Sequence, residues 1–262
     1  MGYGDTYSRE PSQATKGEVS EGNSLVSYLC NDVGYNREDL EDVELEAKID
    51  LFCFQESSEG KVVLTFGEDL DLPEPYSRDK ILPSSEASHS CYAFVDRKRN
   101  QLIYAFTKIE RSGKTKIKVK EKTQEINKDG IILLKRAEKH LEDLSAIEVN
   151  KYIVETARKS KFPLEYIGSF SKQSKEALVF NPTSGRVFVI ATNICSIQSN
   201  PNQLYQLEAE YYGQINGFSS MKGVDDELVE LIRGMINNFP EGYSGKFSIL
   251  TKFDWLVGNV RD

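Results

Sequence analysis

Long apolar runs are absent from this sequence. Nowhere does one approach the ~20 residues that a membrane-spanning helix requires. The N-terminus has no basic region followed by an apolar core, so no signal peptide is predicted. Hydrophobic residues make up 39% of the chain and charged residues 28%, a composition typical of a globular protein. We therefore expect a cytoplasmic protein that does not act at a membrane.

The sequence is also poor in the residues that bind zinc. Its two histidines, His89 and His140, stand far apart, and its four cysteines form no CxxC pair. A zinc site is therefore not expected, and the cysteines are expected to be reduced thiols of a cytosolic protein.

Positive charge is in deficit, and the formal net charge is -8. That balance argues against a broad nucleic-acid surface or an anionic-membrane surface. It remains compatible with a local basic pocket. The sequence leaves the oligomeric state open.

A strict alternation of apolar and charged residues occupies positions 42–51. This is the period of a β-strand, which projects successive side chains to opposite faces. Glu44, Glu46 and Lys48 then share one face, and the intervening apolar residues share the other. The same arrangement returns at 206–211, where Glu208 and Glu210 share a face.

Two carboxylates at positions i and i+2 of a strand lie about 6.5–7 Å apart. At an effective dielectric constant of ~20, their repulsion is roughly 2.4 kcal/mol. Two such pairs facing one cavity would need compensating cations, either basic side chains or a divalent metal. Carboxylate and water oxygens form a hard ligand set that suits Mg²⁺ or Mn²⁺.

A candidate basic partner lies at 114–122, where alternate residues place five lysines on one face. Lys48, Lys135 and Arg136 could add to this positive half. A cavity lined by both signs suits a metal-bridged polyphosphate, because acids hold the metal and basic groups hold phosphate oxygens. The alternatives are ordinary solvated sheet faces and a hairpin whose lysines block edge pairing.

Strand-period patterning over most of 42–215 predicts an antiparallel barrel or a strongly curved sheet. Helical spacing predicts helices at 138–160 and 225–238 on its outside. Residues 67–83 are predicted to form a long surface loop. Residues 1–22 are predicted to be a flexible tail, and 23–262 a single domain with N- and C-terminal helical flanks.

The pattern Glu44-x-Glu46-x-Lys48, the lysine-rich middle strand and Glu208-x-Glu210 together resemble the CYTH superfamily. These are the triphosphate tunnel metalloenzymes, which include the class IV adenylyl cyclases and thiamine triphosphatase. The resemblance covers about residues 42–215 and is that of a divergent member. It implies an α+β fold, in which an antiparallel β-barrel or tunnel carries flanking helices.

The resemblance also implies roles for individual residues. Metal binding by Mg²⁺ or Mn²⁺, and catalysis, would fall to four carboxylates: Glu44, Glu46, Glu208 and Glu210. Substrate phosphates would be bound by six basic residues: Lys48, Lys116, Lys118, Lys120, Lys135 and Arg136. The implied partner is a small-molecule polyphosphate or nucleotide.

The implied function is metal-dependent hydrolysis of inorganic triphosphate, a nucleoside triphosphate or thiamine triphosphate. The sequence does not choose among these substrates. The alternative is a catalytically inactive anion-binding, phosphate-binding or scaffold protein that has the same barrel.

Overall fold

The structure, a computed structural model, describes residues 44–53, 70–198, 200–214 and 222–260. The predicted tail at 1–22 and the N-terminal helical flank lie outside these ranges. Within them, no helix has the length and apolarity needed to cross a membrane.

Strands dominate the described residues, and three helices accompany them. In chain order the strands are β1 (Glu44–Cys53), β2 (Ser77–Ile81), β3 (Ser85–Asp96), β4 (Gln101–Arg111), β5 (Lys114–Lys128), β6 (Ile131–Leu144), β7 (Leu164–Asn181), β8 (Arg186–Ile197), β9 (Asn200–Gln214) and β10 (Tyr243–Ser248). The helices are α1 (Ala146–Lys159), α2 (Val224–Asn237) and α3 (Lys252–Val260).

Eight of the strands close into an antiparallel barrel. Their order is β1-β6-β5-β4-β3-β7-β8-β9, and β9 pairs back to β1. Strands β2 and β10 lie outside this ring and pair with β7 and β1. The predicted α+β fold, an antiparallel barrel with flanking helices, is confirmed.

Strand β1 is buried on both of its faces. Leu45, Ala47 and Ile49 belong to the hydrophobic core that also contains the inner face of α2. The opposite face carries Glu44 and Glu46, which are 5% and 2% exposed. The predicted alternation is therefore correct, but the alternative of a solvated charged face is wrong, because that face lines the barrel interior.

The helix predicted at 138–160 begins later than the sequence indicated. Strand β6 continues to Leu144, and α1 begins at Ala146 after a capping box formed by Ser145 and Glu148. The extra strand residues were missed because polar side chains occupy outward positions, at Lys139 and Asp143, as well as the inward ones, so no alternation of apolar and polar residues marks the strand. The second predicted helix is confirmed as α2.

The loop predicted at 67–83 contains more structure than its prolines suggested. Within its described part, β2 pairs with β7, and Leu70 and Tyr76 are buried in the main core. The Tyr76 hydroxyl donates to the Glu227 carbonyl of α2 at 2.9 Å. This segment therefore packs over α2 rather than crossing the surface freely.

Helix α3 occupies one end of the barrel interior. Its Trp255 and Leu256 pack against Cys91, Phe170 and Cys195, which project inward from the barrel wall. Gly168 permits this close approach, since a Cβ there would lie 3.3 Å from a Val260 methyl group. The barrel is thereby filled at this end.

Alanine substitutions at two glycines in helices are expected to have opposite effects on stability. A Cβ on Gly234 would lie 2.4 Å from Pro73 Cβ, whereas a Cβ on Gly258 would meet nothing within 4 Å. Gly234→Ala should destabilise the fold by about 1–3 kcal/mol through overpacking. Gly258→Ala should instead stabilise it by up to about 1 kcal/mol, because alanine favours helix more than glycine.

Chemical denaturation of both variants measures this difference. A Gly234→Ala protein as stable as Gly258→Ala would contradict the packing of α2 against the 70–76 segment.

Candidate metal and phosphate site

The barrel encloses a cavity of about 810 Å³. All the site residues predicted from sequence line it except Lys135, and these are Glu44, Glu46, Lys48, Lys116, Lys118, Lys120, Arg136, Glu208 and Glu210. They reach the cavity from β1, β5, β6 and β9, which are neighbours around the ring. The structure thus brings together residues that are far apart in the chain.

Lys135 points away from this cavity. It lies between Leu134 and Arg136, which both line the interior. Successive residues of a strand face opposite sides, so Lys135 faces outward. The prediction that Lys135 contacts substrate phosphate is therefore wrong. Of Lys135 and Arg136, only Arg136 lines the cavity.

Three carboxylates form a compact group on β1 and β9. Glu46 and Glu210 are directly paired across the two strands, and Glu44 lies two residues before Glu46. One oxygen from each of the three lies within 4.8 Å of the others. The three oxygens are therefore close enough together to be candidate ligands of one divalent ion.

Basic side chains surround Glu44. Lys120 Nζ donates to both of its carboxylate oxygens, at 2.8 and 2.9 Å, and Lys118 Nζ lies 3.8 Å away. Arg136 pairs with Glu44 and with Glu46. Burial raises the pKa of Glu44, but Lys120 and Lys118 together outweigh burial and bring that pKa down to about 2. Glu44 is therefore ionised.

Glu210 is the carboxylate whose charge is not fully compensated. Burial, followed by the neighbouring Glu44, raises the pKa of Glu210 to about 8, despite the opposing effect of Lys118 and Lys120. Near neutral pH, Glu210 is therefore protonated, and a bound metal cation could take the place of that proton. This charge deficit, together with three hard oxygen ligands, fits a divalent metal ion such as Mg²⁺ or Mn²⁺.

Glu208 lies outside the compact group of the other three predicted ligands, and Lys48 links it to that group by also pairing with Glu46, at 3.0 Å. Glu208 pairs with Lys48, accepts from Lys252 Nζ at 2.5 Å and accepts from Asn193 Nδ2 at 2.6 Å. Burial opposes ionisation, but Lys252 and Lys48 hold the pKa of Glu208 well below its usual range. Glu208 therefore serves as the counterion of two lysines.

Several cavity residues were not predicted from the sequence. They include Glu138, His140, Lys172, Ser174, Glu176, Lys252, Arg111 and His89. Glu138 lies 3.3 Å from Lys120 and also pairs with Lys118, so it holds both lysines in place. The signal that could have found it is the alternation of polar residues after Arg136, at Glu138, His140 and Glu142.

Comparisons with known proteins give only distant matches. No protein-family model matches the chain, and no curated protein matches it. Among solved structures, a candidate adenylate cyclase from Bacillus halodurans is 12% identical with a TM-score of 0.34, over 59% of this chain and 74% of that one.

Two structures of the S. pombe RNA triphosphatase Pct1 are also similar at this level. The one in complex with the Spt5 CTD is 11% identical with a TM-score of 0.31, over 82% of this chain and 86% of that one. The other is 9% identical with a TM-score of 0.27, over 80% and 83%. At such similarity, residue roles must come from the geometry of this barrel itself.

Glu210 predicts how stability depends on pH when no divalent metal is present. Its pKa is about 8 in the folded protein and lower in the unfolded chain, so the folded state binds the extra proton between these values. Unfolding free energy should therefore fall as pH rises from about 5 to about 8, because the folded state holds its extra proton over that range.

The Glu210→Gln variant should lack this component, so its stability relative to the parent protein should improve as pH rises. Denaturant titrations across that pH range, in a metal chelator, provide the measurement. Parallel pH dependences for the two proteins would show that Glu210 is not held protonated.

Proposed function

We propose that the protein is a metal-dependent hydrolase of a triphosphate-containing substrate. The carrying observation is the group formed by Glu44, Glu46 and Glu210, which lines the barrel cavity beside lysines and an arginine. Glu44, Glu46 and Glu210 would hold the metal ion. When bound, such an ion neutralises phosphate oxygens and lowers the pKa of a bound water.

The basic residues divide into two groups along the cavity. Lys118, Lys120 and Arg136 surround the three carboxylates, where they can hold the oxygens of a phosphate at the metal. Lys48 and Lys252 surround Glu208, one step further along β9, and can hold a neighbouring phosphate of the same chain. Carboxylates already hold the basic side chains of both groups in place. Binding a phosphate therefore loses little side-chain conformational entropy.

One observation favours the second candidate function, an inactive phosphate-binding protein. Lys120 and Arg136 form direct ion pairs with Glu44. A site with closed ion pairs could bind an anion without performing chemistry. Hydrolysis assays separate the two candidates, because both predict anion binding and one predicts turnover.

Glu46→Gln should lower the kcat for tripolyphosphate hydrolysis with Mg²⁺ or Mn²⁺ by about 100-fold or more, because it removes a metal ligand and keeps the side-chain volume. The protein should stay folded, since Glu210 can ionise beside the same cations when Glu46 is neutral. Released phosphate and circular dichroism measure the two effects.

Glu110→Gln is the matched control. Glu110 is also a strand glutamate in an ion pair, 3.3 Å from Lys108, but its side chain is half exposed. It should retain full activity. Equal activity of Glu46→Gln and Glu110→Gln would rule out the proposed metal site, and binding without turnover in the parent protein would favour the inactive alternative.

Divalent metal and tripolyphosphate should together stabilise the native protein. A ligand that binds the folded state alone adds about 2.7 kcal/mol at a hundredfold excess over its Kd. Thermal melts with Mn²⁺ plus tripolyphosphate should therefore shift upward for the parent protein and much less for Glu46→Gln. Melts that are unchanged by these additions would argue against any functional ligand in the cavity.

A further inference from the structure

The cavity is chemically two-sided. Strands β1, β5, β6, β7 and β9 line it with charges, as does Arg111 at the end of β4. The other lining residues of β3 and β4 are uncharged and form what we call the neutral wall, which includes Ala87, His89, Cys91, Leu102, Tyr104, Thr107 and Ile109. A bare triphosphate needs charge around it, and this neutral wall offers none. The neutral wall therefore favours a ligand that has an uncharged part.

His89 stands at the centre of this wall. It is paired with Ile109 on one side and with Phe170 on the other, and its ring stacks on Phe170 with centroids 4.8 Å apart and planes at 12°. Within the described ranges, neither ring nitrogen of His89 has a hydrogen-bond partner. Its edge thus offers hydrogen bonding from an otherwise apolar surface.

Every titratable group of the neutral wall is uncharged near neutral pH. Burial, followed by Lys172 and Lys252, holds the pKa of His89 well below its usual range. Burial raises the pKa of Cys91 to about 11 and that of Tyr104 to about 12. The Tyr104 hydroxyl and the Cys91 thiol each form a hydrogen bond with the hydroxyl of Thr107.

The wall adjoins the proposed phosphate site and ends at α3. His89 lies in one row with Lys116 across β3, β4 and β5, and Cys91 lies in the next row with Lys118. Beyond it, Tyr104 packs edge-on against Phe253 of α3, at 4.8 Å between centroids. A group resting on the wall would therefore also lie close to α3 at this end of the cavity.

We propose that this wall, centred on His89, is a subsite for the organic group of a small organic triphosphate, a flat ring with hydrogen-bonding edges such as a nucleobase. This inference rests on the proposed function and deepens it, because it excludes inorganic triphosphate as the preferred ligand. The cavity volume agrees, since 810 Å³ lies within the range of about 300–1,000 Å³ typical of organic ligands.

The test compares ATP, tripolyphosphate and a 5′-triphosphorylated oligonucleotide in the presence of Mn²⁺. The parent protein should prefer ATP in kcat/KM. His89→Phe keeps the stacked ring and removes its nitrogens, so the ratio of kcat/KM for ATP to that for tripolyphosphate should fall by about two- to tenfold. Ala87→Phe, which fills the wall, should lower this ratio at least as much.

Lys151→Met, an exposed change on α1, is the control and should leave the ratio unaltered. A ratio unchanged in both wall variants, or a preference for tripolyphosphate or the oligonucleotide, would overturn the subsite. Thermal melts separate its failure from that of the proposed function. ATP that stabilises the parent protein more than tripolyphosphate, without turnover, would support the subsite and refute the hydrolase, whereas equal stabilisation by the two would refute the subsite.

Discussion

Compensation of buried charge is the constraint on which this structure depends. An ionised side chain inside a protein is stable only when a partner of opposite sign is close. Glu44 is held by Lys120 of β5 and Arg136 of β6, and Glu208 by Lys48 of β1 and Lys252 of α3. These ion pairs link elements that are distant in sequence. The buried charges are therefore neutralised only when the ring of strands is closed.

That constraint explains which features the sequence could reveal. Strand β1 was predictable because apolar outward residues alternate with charged inward ones, which produces the period of two whichever face is solvated. The part of β6 beyond Arg136 was not predictable as a strand. Its residues Glu138, His140 and Glu142 face inward, and the leucines around them suggested helical spacing. Inward and outward faces of such a barrel cannot be told apart by polarity alone.

The candidate site was predictable only in part, in its acids as well as in its bases. Glu44, Glu46 and Glu210 meet because β1 and β9 pair directly, a register that the two separate patterns did not contain. That same register sets Glu208 opposite Lys48 and so removes it from the metal group. Lys252 could not be anticipated, because it reaches the cavity from a helix that docks into the barrel end.

The charge balance at Glu210 sets it apart from its neighbours. Glu44, Glu46 and Glu208 each pair with a basic side chain, whereas Glu210 is held neutral by burial and by Glu44. In the function that we propose, a cation bound there would attract anions, and the lysines beside it would hold a phosphate chain. The proposed subsite on the neutral wall of β3 and β4 would then distinguish among molecules that carry such a chain.

Anomalous X-ray scattering from crystals soaked in Mn²⁺ and tripolyphosphate tests this account most directly. The account predicts a manganese peak among the carboxylates of Glu44, Glu46 and Glu210, with phosphate density against Lys118 and Lys120. Manganese bound instead at exposed acids such as Asp225 and Asp226, with the three interior carboxylates still paired to their basic neighbours alone, would contradict it.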